Sequence, residues 1–192
     1  KDYKGAVAAL DKAIEKGAST VTVFLCRGNS RYTLKDEEGA KPDLIKAIEL
    51  GADDFDAFYA LGNMAYKEGV YDAALTHYDK AIAKGTEDPV IYNNRGKAKL
   101  ALKQYQASIA DFDKALSLRP DYDKSFEGRG MAKFELKDYA GAIPDLEKNT
   151  TPATANRSIA RMLAIAKYET NDPKGAKPYI DSAIKKGADD AV

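Results

Sequence analysis

Few residues in this chain could do chemistry. His77 is the sole histidine and Cys26 the sole cysteine, so there is no imidazole pair for a metal or a base-nucleophile relay. An intrachain disulfide and a multi-cysteine metal site are likewise excluded. Taken alone, His77 reads as a surface or partly buried helix residue. Gly128-Arg129-Gly130 imitates part of a phosphate loop, but no Lys-Ser or Lys-Thr pair follows and both glycines fall within an expected helix. Carboxylates are plentiful, yet runs such as Asp36-Glu37-Glu38 and Asp53-Asp54 read as helix ends and solvent faces, and nothing marks a pair sunk in a pocket. Asn149-Thr150-Thr151 and Asn156-Arg157-Ser158 match the glycosylation acceptor pattern, without any sign of secretion to support it. The expectation is a chain that is not an enzyme, with no catalytic residue, no metal and no cofactor.

Composition narrows the remaining choices. Thirty basic and thirty acidic residues cancel and no long single-sign run occurs, which removes the electrostatic footprint of a general nucleic-acid binder. No apolar run approaches the roughly 18 residues of a membrane span, and Lys1-Asp2-Tyr3-Lys4 does not read as a signal peptide. The chain is expected to be soluble, with no membrane insertion. One thiol suits either a cytoplasmic or a periplasmic setting, so the compartment stays open.

The elements that position these residues follow a ruler. Lys16-Gly17-Ala18, Leu50-Gly51-Ala52, Lys84-Gly85-Thr86 and Lys186-Gly187-Ala188 lie at multiples of 34 residues. Phe24, Phe58, Tyr92, Phe126 and Ala160 form one column, and four residues on stand Gly28, Gly62, Gly96, Gly130 and Ala164. Further along each unit come the small column Ala6, Ala40, Ala74, Ser108, Ala142 and Ala176, and the bulky column Leu10, Leu44, Tyr78, Phe112, Leu146 and Ile180. Each unit reads as two helices, giving eleven: 2–16, 20–34, 37–50, 54–68, 71–84, 88–102, 105–118, 122–136, 139–149, 155–170 and 173–186. Gly17, Gly51, Gly85 and Gly187 suit the left-handed residue that closes a helix. Asp53 or Asp54, and Asp88, can cap the helix that follows. Pro120 ends a helix by restraining Arg119, and Pro42, Pro144 and Pro178 are expected near a helix start, where a missing N–H matters least. Asn149–Thr154 breaks the pattern and predicts an early helix stop, either a local irregularity or a place where the last unit can tilt.

Unit by unit, the chain resembles the tetratricopeptide repeat (TPR), whose helix-turn-helix has this length and this alternation of large and small. The resemblance implies an all-α fold, a right-handed α-solenoid of antiparallel helix pairs. It would form a single array over 1–192, with a half repeat at 1–20 and repeats at 21–54, 55–88, 89–122, 123–156 and 157–190. The chain lacks an initiating methionine and opens on an apolar stripe, Tyr3, Val7, Leu10 and Ile14, whose covering helix is missing. It therefore reads as a segment of a longer protein, with Ala191-Val192 starting a further unit. Asn94-Arg95-Gly96 and Gly128-Arg129-Gly130, each followed by a tyrosine, have a bacterial look.

The resemblance also implies a non-catalytic scaffold that holds a partner protein or extended peptide along its concave face. The residues assigned there are Asn29, Tyr59, Asn63, Tyr66, Asn93, Asn94, Lys97, Lys124, Met131 and Arg161. Asparagine can donate and accept, so it could hold a ligand backbone without demanding a sequence. Replacing Asn63 and Asn94 is expected to weaken binding and leave stability unchanged. Part of the family binds the acidic C-terminal tails of heat-shock chaperones with a lysine, two asparagines, a lysine and an arginine. Here Asn63, Asn94 and Lys124 match, but Tyr59 and Gly128 replace two cations, and Arg129 is turned by about 100° around its helix. A chaperone tail is therefore not the expected partner. The alternative is a structural, self-association module that stacks through its terminal helices.

Overall fold

The computed structural model describes residues 2–189, so the expected further unit at Ala191-Val192 lies outside the described residues. The chain divides into two compact units, Lys1–Glu87 and Asp88–Val192. The first holds α1 (Tyr3–Glu15), α2 (Val21–Thr33), α3 (Glu37–Glu49), α4 (Phe55–Lys67) and α5 (Tyr71–Ile82). The second holds α6 (Pro89–Ala101), α7 (Tyr105–Leu118), α8 (Asp123–Glu135), α9 (Tyr139–Glu147), α10 (Arg157–Glu169) and α11 (Pro173–Asp189). All eleven expected helices are present among the described residues, and no strand is.

Within each unit the helices stack as pairs. The tightest partners are α2 with α3, α4 with α5, α6 with α7, α8 with α9 and α10 with α11, and the first helices of successive pairs also touch, α2 with α4, α6 with α8 and α8 with α10. That is the local geometry of an α-solenoid, in which each pair buries its apolar face only by leaning on the next. The interlock is glycine against a bulky side chain. A Cβ on Gly62 would stand 2.7 Å from the Tyr78 ring, one on Gly96 2.9 Å from Phe112, and one on Gly130 2.8 Å from Leu146. Tyr78 and Phe112 are fully buried by this approach.

Turn chemistry fixes the pairs. Gly17, Gly51 and Gly85 take positive φ, as expected between pairs, whereas Gly187 does not: α11 continues through it to Asp189. Lys186 accounts for this, because its ammonium donates to the carbonyls of Ala153 and Ala155 and pins the last turn of α11. A second left-handed column, Lys35, Gly69, Lys103, Lys137 and Asn171, closes the first helix of each pair. The next residue's N–H reaches five residues back, as in Asp36 to Arg31 at 2.9 Å and Asp138 to Lys133 at 2.9 Å, the Schellman closure. Asp54 and Asp88 do cap α4 and α6. Asp53 instead pairs with Lys84.

Two expectations need correction or detail. Pro42, Pro144 and Pro178 lie inside their helices, six residues after the caps Asp36, Asp138 and Asp172, so each deletes a real helical hydrogen bond. All three rings face solvent, where the orphaned carbonyl can hydrate. The early stop is present, with α9 ending at Glu147. The segment beyond it is packed, with Ala155 2% exposed and Ser182 Oγ donating to the Pro152 carbonyl at 2.6 Å.

Three carboxylates are sunk between the helices of a pair, against the expectation that acidic residues line only solvent faces. Asp43, Asp111 and Asp145 are 3%, 4% and 5% exposed. Asp43 accepts from Arg27 at 2.5 and 2.8 Å and from Arg31 at 2.9 Å. Asp111 accepts from Arg95 at 2.6 and 2.9 Å and pairs with Lys99 at 2.8 Å. Asp145 accepts from Arg129 at 2.6 and 2.8 Å and from Lys133 at 2.7 Å. The arginine stands 16 residues before its aspartate each time, so every fork joins the first helix to the second. Burial pushes the Asp145 carboxyl up, but the hydrogen bonds from Arg129 and Lys133 outweigh it and hold the group below its ordinary value. Asp145→Asn is expected to cost about 3 kcal/mol at neutral pH, because it leaves Lys133 without its carboxylate and Arg129 with Asp113 alone. The folded-state value lies below the unfolded one, so this contribution is complete above about pH 4 and is lost as pH falls through the folded value. Urea denaturation should therefore show the gap between wild type and variant narrowing below about pH 4; a gap that stays constant down to pH 3 would count against the ion-pair account.

Candidate partner-binding faces

The first helices leave one face uncovered in each unit, and the assigned residues meet different fates there. In the first unit Asn63 is a structural link. Its amide donates to the Tyr32 hydroxyl at 3.0 Å and accepts from the Tyr78 hydroxyl at 2.9 Å. Tyr78 is fully buried, and burial pushes its hydroxyl pKa well up. The expectation that Asn63 can be removed without loss of stability is thereby overturned, since its loss orphans a buried hydroxyl. Tyr59 stacks on Phe55 with ring centroids 5.9 Å apart and Tyr66 packs on Tyr71 at 5.4 Å, so both rings contribute to packing. Asn29 lines a cleft of about 480 Å³ shared with Cys26, Ser30 and Asp56.

In the second unit Asn93 is 1% exposed, donating to the Asn94 side chain at 3.1 Å and accepting from Ser125 at 3.1 Å. Its burial removes it from the residues a ligand could touch, and Asn94 is half-buried beside it. Met131 is partly buried against the cluster that holds Leu146 and Leu163, so it too packs. Lys97, half-buried on α6, lies near Lys124 and Glu127 of α8. Burial, and then the Lys124 charge, pull its ammonium below the ordinary lysine value, with Glu127 offsetting part of the effect. Lys124 and Arg161 are exposed.

Two sets of first-helix cations stand apart from Lys67 and Lys167, which pair with less buried acids. Arg27, Arg31, Arg95, Lys99, Arg129 and Lys133 are committed to buried aspartates. Lys97, Lys124 and Arg161 have neither an ion pair nor a hydrogen bond among the described residues. Arg129, the near miss of the chaperone-tail pattern, sits between Asp145 and Asp113, and Gly128 is pressed against the Phe112 ring, 2.4 Å from where a Cβ would stand. Asn156, of the second glycosylation match, uses its side chain to cap α10 at 2.9 Å. Among the described residues no group of three or more metal-ligating side chains is assembled, and no helix is long and apolar enough to cross a membrane.

Sequence reasoning passed over Ser30 and Asp56. Both stood out in the columns: Ser30 shares its position with Met64, Ala98, Ala132 and Ala166, and Asp56 shares one with Lys124.

Similarity to known proteins agrees with the helix pairs. The pattern described as "Tetratricopeptide repeat" matches residues 89–122, and that described as "TPR repeat" matches residues 62–103. No curated protein matches the sequence. Among solved structures the chain is similar to YrrB, described as a TPR protein with an unusual peptide-binding site, at 20% identity over 94% of this chain and 93% of that one, with a TM-score of 0.75. It is also similar to MamA, at 20% identity over 90% and 94% with a TM-score of 0.72. The 41-end form of MamA from Desulfovibrio magneticus RS-1 gives 16% identity over 90% and 97%, with a TM-score of 0.71. At these identities the likeness is one of fold, an all-α solenoid of paired helices. The two sequence matches together span residues 62–122 and make this stretch tetratricopeptide repeats, and the helix pairs on both sides of it continue the same spacing.

Proposed function

We propose that this chain is a non-catalytic scaffold that holds a partner protein, in an extended segment, on the face formed by its first helices. The division of cations carries the reading. A lysine half-buried without a counterion is costly unless something else supplies the charge, and Lys97 is in that position while its neighbour on the same helix, Lys99, is ion-paired. Lys124 adds a second unpaired cation on α8. This arrangement favours an acidic stretch of the partner against the second unit. The interaction role agrees with the general use of the fold and with the words describing YrrB, which concern that protein.

A second reading, stacking through the last helix pair, has its own observation. Ile165, Tyr168, Ile180 and Ile184 are 40%, 66%, 41% and 67% exposed, whereas Leu44, Tyr78, Phe112 and Leu146 in the column of Ile180 are at most 2% exposed. The stripe Tyr3, Val7, Leu10 and Ile14 is half-buried, so the larger uncovered apolar patch lies on α10 and α11. A large exposed apolar patch marks an interaction surface.

Three measurements separate these roles. On an array of extended peptides, Lys97→Ala with Lys124→Ala should weaken binding of acidic segments about tenfold, ~1.4 kcal/mol, without lowering the melting temperature; undiminished binding would show the face was wrongly assigned. Asn63→Ala should instead lower stability by about 1–3 kcal/mol in urea through the orphaned Tyr78 hydroxyl, and full stability would contradict the hydrogen-bond relay. In light scattering, stacking requires concentration-dependent dimers that Ile184→Lys abolishes, and a strict monomer ends that reading.

A further inference from the structure

At the equivalent position on its own first-helix face, the first unit carries the opposite charge. The column that holds Lys124 in the second unit holds Asp56 in the first. Asp56 stands in the first turn of α4 on the cleft of about 480 Å³, which Asp2, the cap of α1, Tyr3 of α1 and Cys26, Asn29 and Ser30 of α2 also line. That volume is within the roughly 300–1,000 Å³ of ligand clefts. Among the described residues no lysine or arginine lines it. Asp2 accepts from the Gly5 N–H through one oxygen only, and Asp56 has neither an ion pair nor a hydrogen bond among the described residues. Burial, and then the Asp54 charge, push the Asp56 carboxyl up, the response of an acid without a cation beside it.

Ser30 is the independent sign that the cleft is built for a ligand. Its column is otherwise apolar and buried: Met64, Ala98, Ala132 and Ala166 are 2%, 0%, 0% and 0% exposed. Ser30 is 8% exposed, lines the cleft, and its hydroxyl has no hydrogen-bond partner among the described residues. The hydroxyl is not sealed from the cleft, so an incoming donor can reach it at a position that the other repeats fill with apolar side chains.

We infer that this cleft receives an arginine side chain from an extended segment of a partner protein. The lining includes the Asp2 and Asp56 carboxylates, the Asn29 amide and the Ser30 hydroxyl, each able to accept, which suits the five donors of a guanidinium better than the three of an ammonium. The Tyr3 ring and the Ala6 methyl supply an apolar wall for the aliphatic stem. This inference rests on the reading of the first-helix face as a peptide-binding surface. It adds that the partner presents a base to the first unit, whereas the second unit favours an acid.

Cys26, the single thiol, lines the cleft and reports its occupancy. The experiment measures iodoacetamide alkylation of Cys26 in the full chain with acetylated, amidated Gly/Ser nonapeptides carrying arginine, glutamine or glutamate at the centre. The arginine peptide should slow alkylation about fivefold at saturation, and the other two should not. Asp56→Asn and Ser30→Ala should each weaken that protection about fivefold, with unliganded alkylation rates and melting temperatures close to wild type. Equal protection by the glutamine or glutamate peptide, no protection by arginine, or an Asp56→Asn chain that is protected like wild type overturns the assignment. If acidic peptides still bind through Lys97 and Lys124 while arginine gives no protection, only this inference falls; if no peptide binds either unit, the reading beneath it falls as well.

Discussion

The close approach of a glycine backbone to a bulky side chain is the constraint on which each helix pair depends. Gly28 against Leu44, Gly62 against Tyr78, Gly96 against Phe112 and Gly130 against Leu146 leave no room for a Cβ. Tight contact at that point fixes the rotation of both helices about their axes, because a turn of one residue would drive a side chain into the neighbouring backbone. Once rotation is set, every other column follows: which residues meet the next pair, which face solvent, and which cross from first helix to second. Phe112 shows how far this reaches, since it lies against Gly96 of its own pair and Gly128 of the next.

The buried aspartates depend on that register. An arginine on the first helix can fork onto an aspartate 16 residues later only if the two helices present those positions to each other. Three pairs use this device. In the other two the same positions hold Leu61 with His77 and Leu163 with Tyr179. Leu61 and Leu163 are buried, and Tyr179 donates at 3.0 Å to Glu147, which Lys167 also pairs with at 3.0 Å. His77 is less well provided for. Its Nδ1 is buried without a hydrogen-bond partner, and burial, then Lys80 and Lys41, hold its imidazole below the ordinary histidine value. Apolar and ionic solutions thus occupy one site in different repeats, as expected where a buried ion pair and a well-packed apolar pair differ little in net stability.

Paired and unpaired cations are interleaved on the same helices. On α6, Lys99 is paired and Lys97 is not; on α8, Arg129 and Lys133 are paired and Lys124 is not. Helical spacing explains the division. Positions four apart share the side that meets the second helix, and the intervening residues turn toward the uncovered face. Charge on that face differs between the units, Asp56 in one and Lys124 in the other at equivalent positions.

The 34-residue period alone determined the helices, their pairing and the turn positions apart from Gly187, because length, apolar period and closing glycines are local properties of the chain. The period could also have exposed Ser30 as a hydroxyl in an alanine column and Asp56 as a reversed charge. Only the tertiary structure decided which polar groups are available. Asn63 and Asn93 look like ligand-holding amides in sequence, yet one bridges Tyr32 and Tyr78 and the other is buried with Ser125. Asp43, Asp111 and Asp145 look like surface acids and are buried under paired cations. These outcomes depend on contacts 15 to 32 residues apart in the chain, made across two helices. Local pattern shows the face a residue occupies, and packing shows whether its hydrogen bonds are already taken.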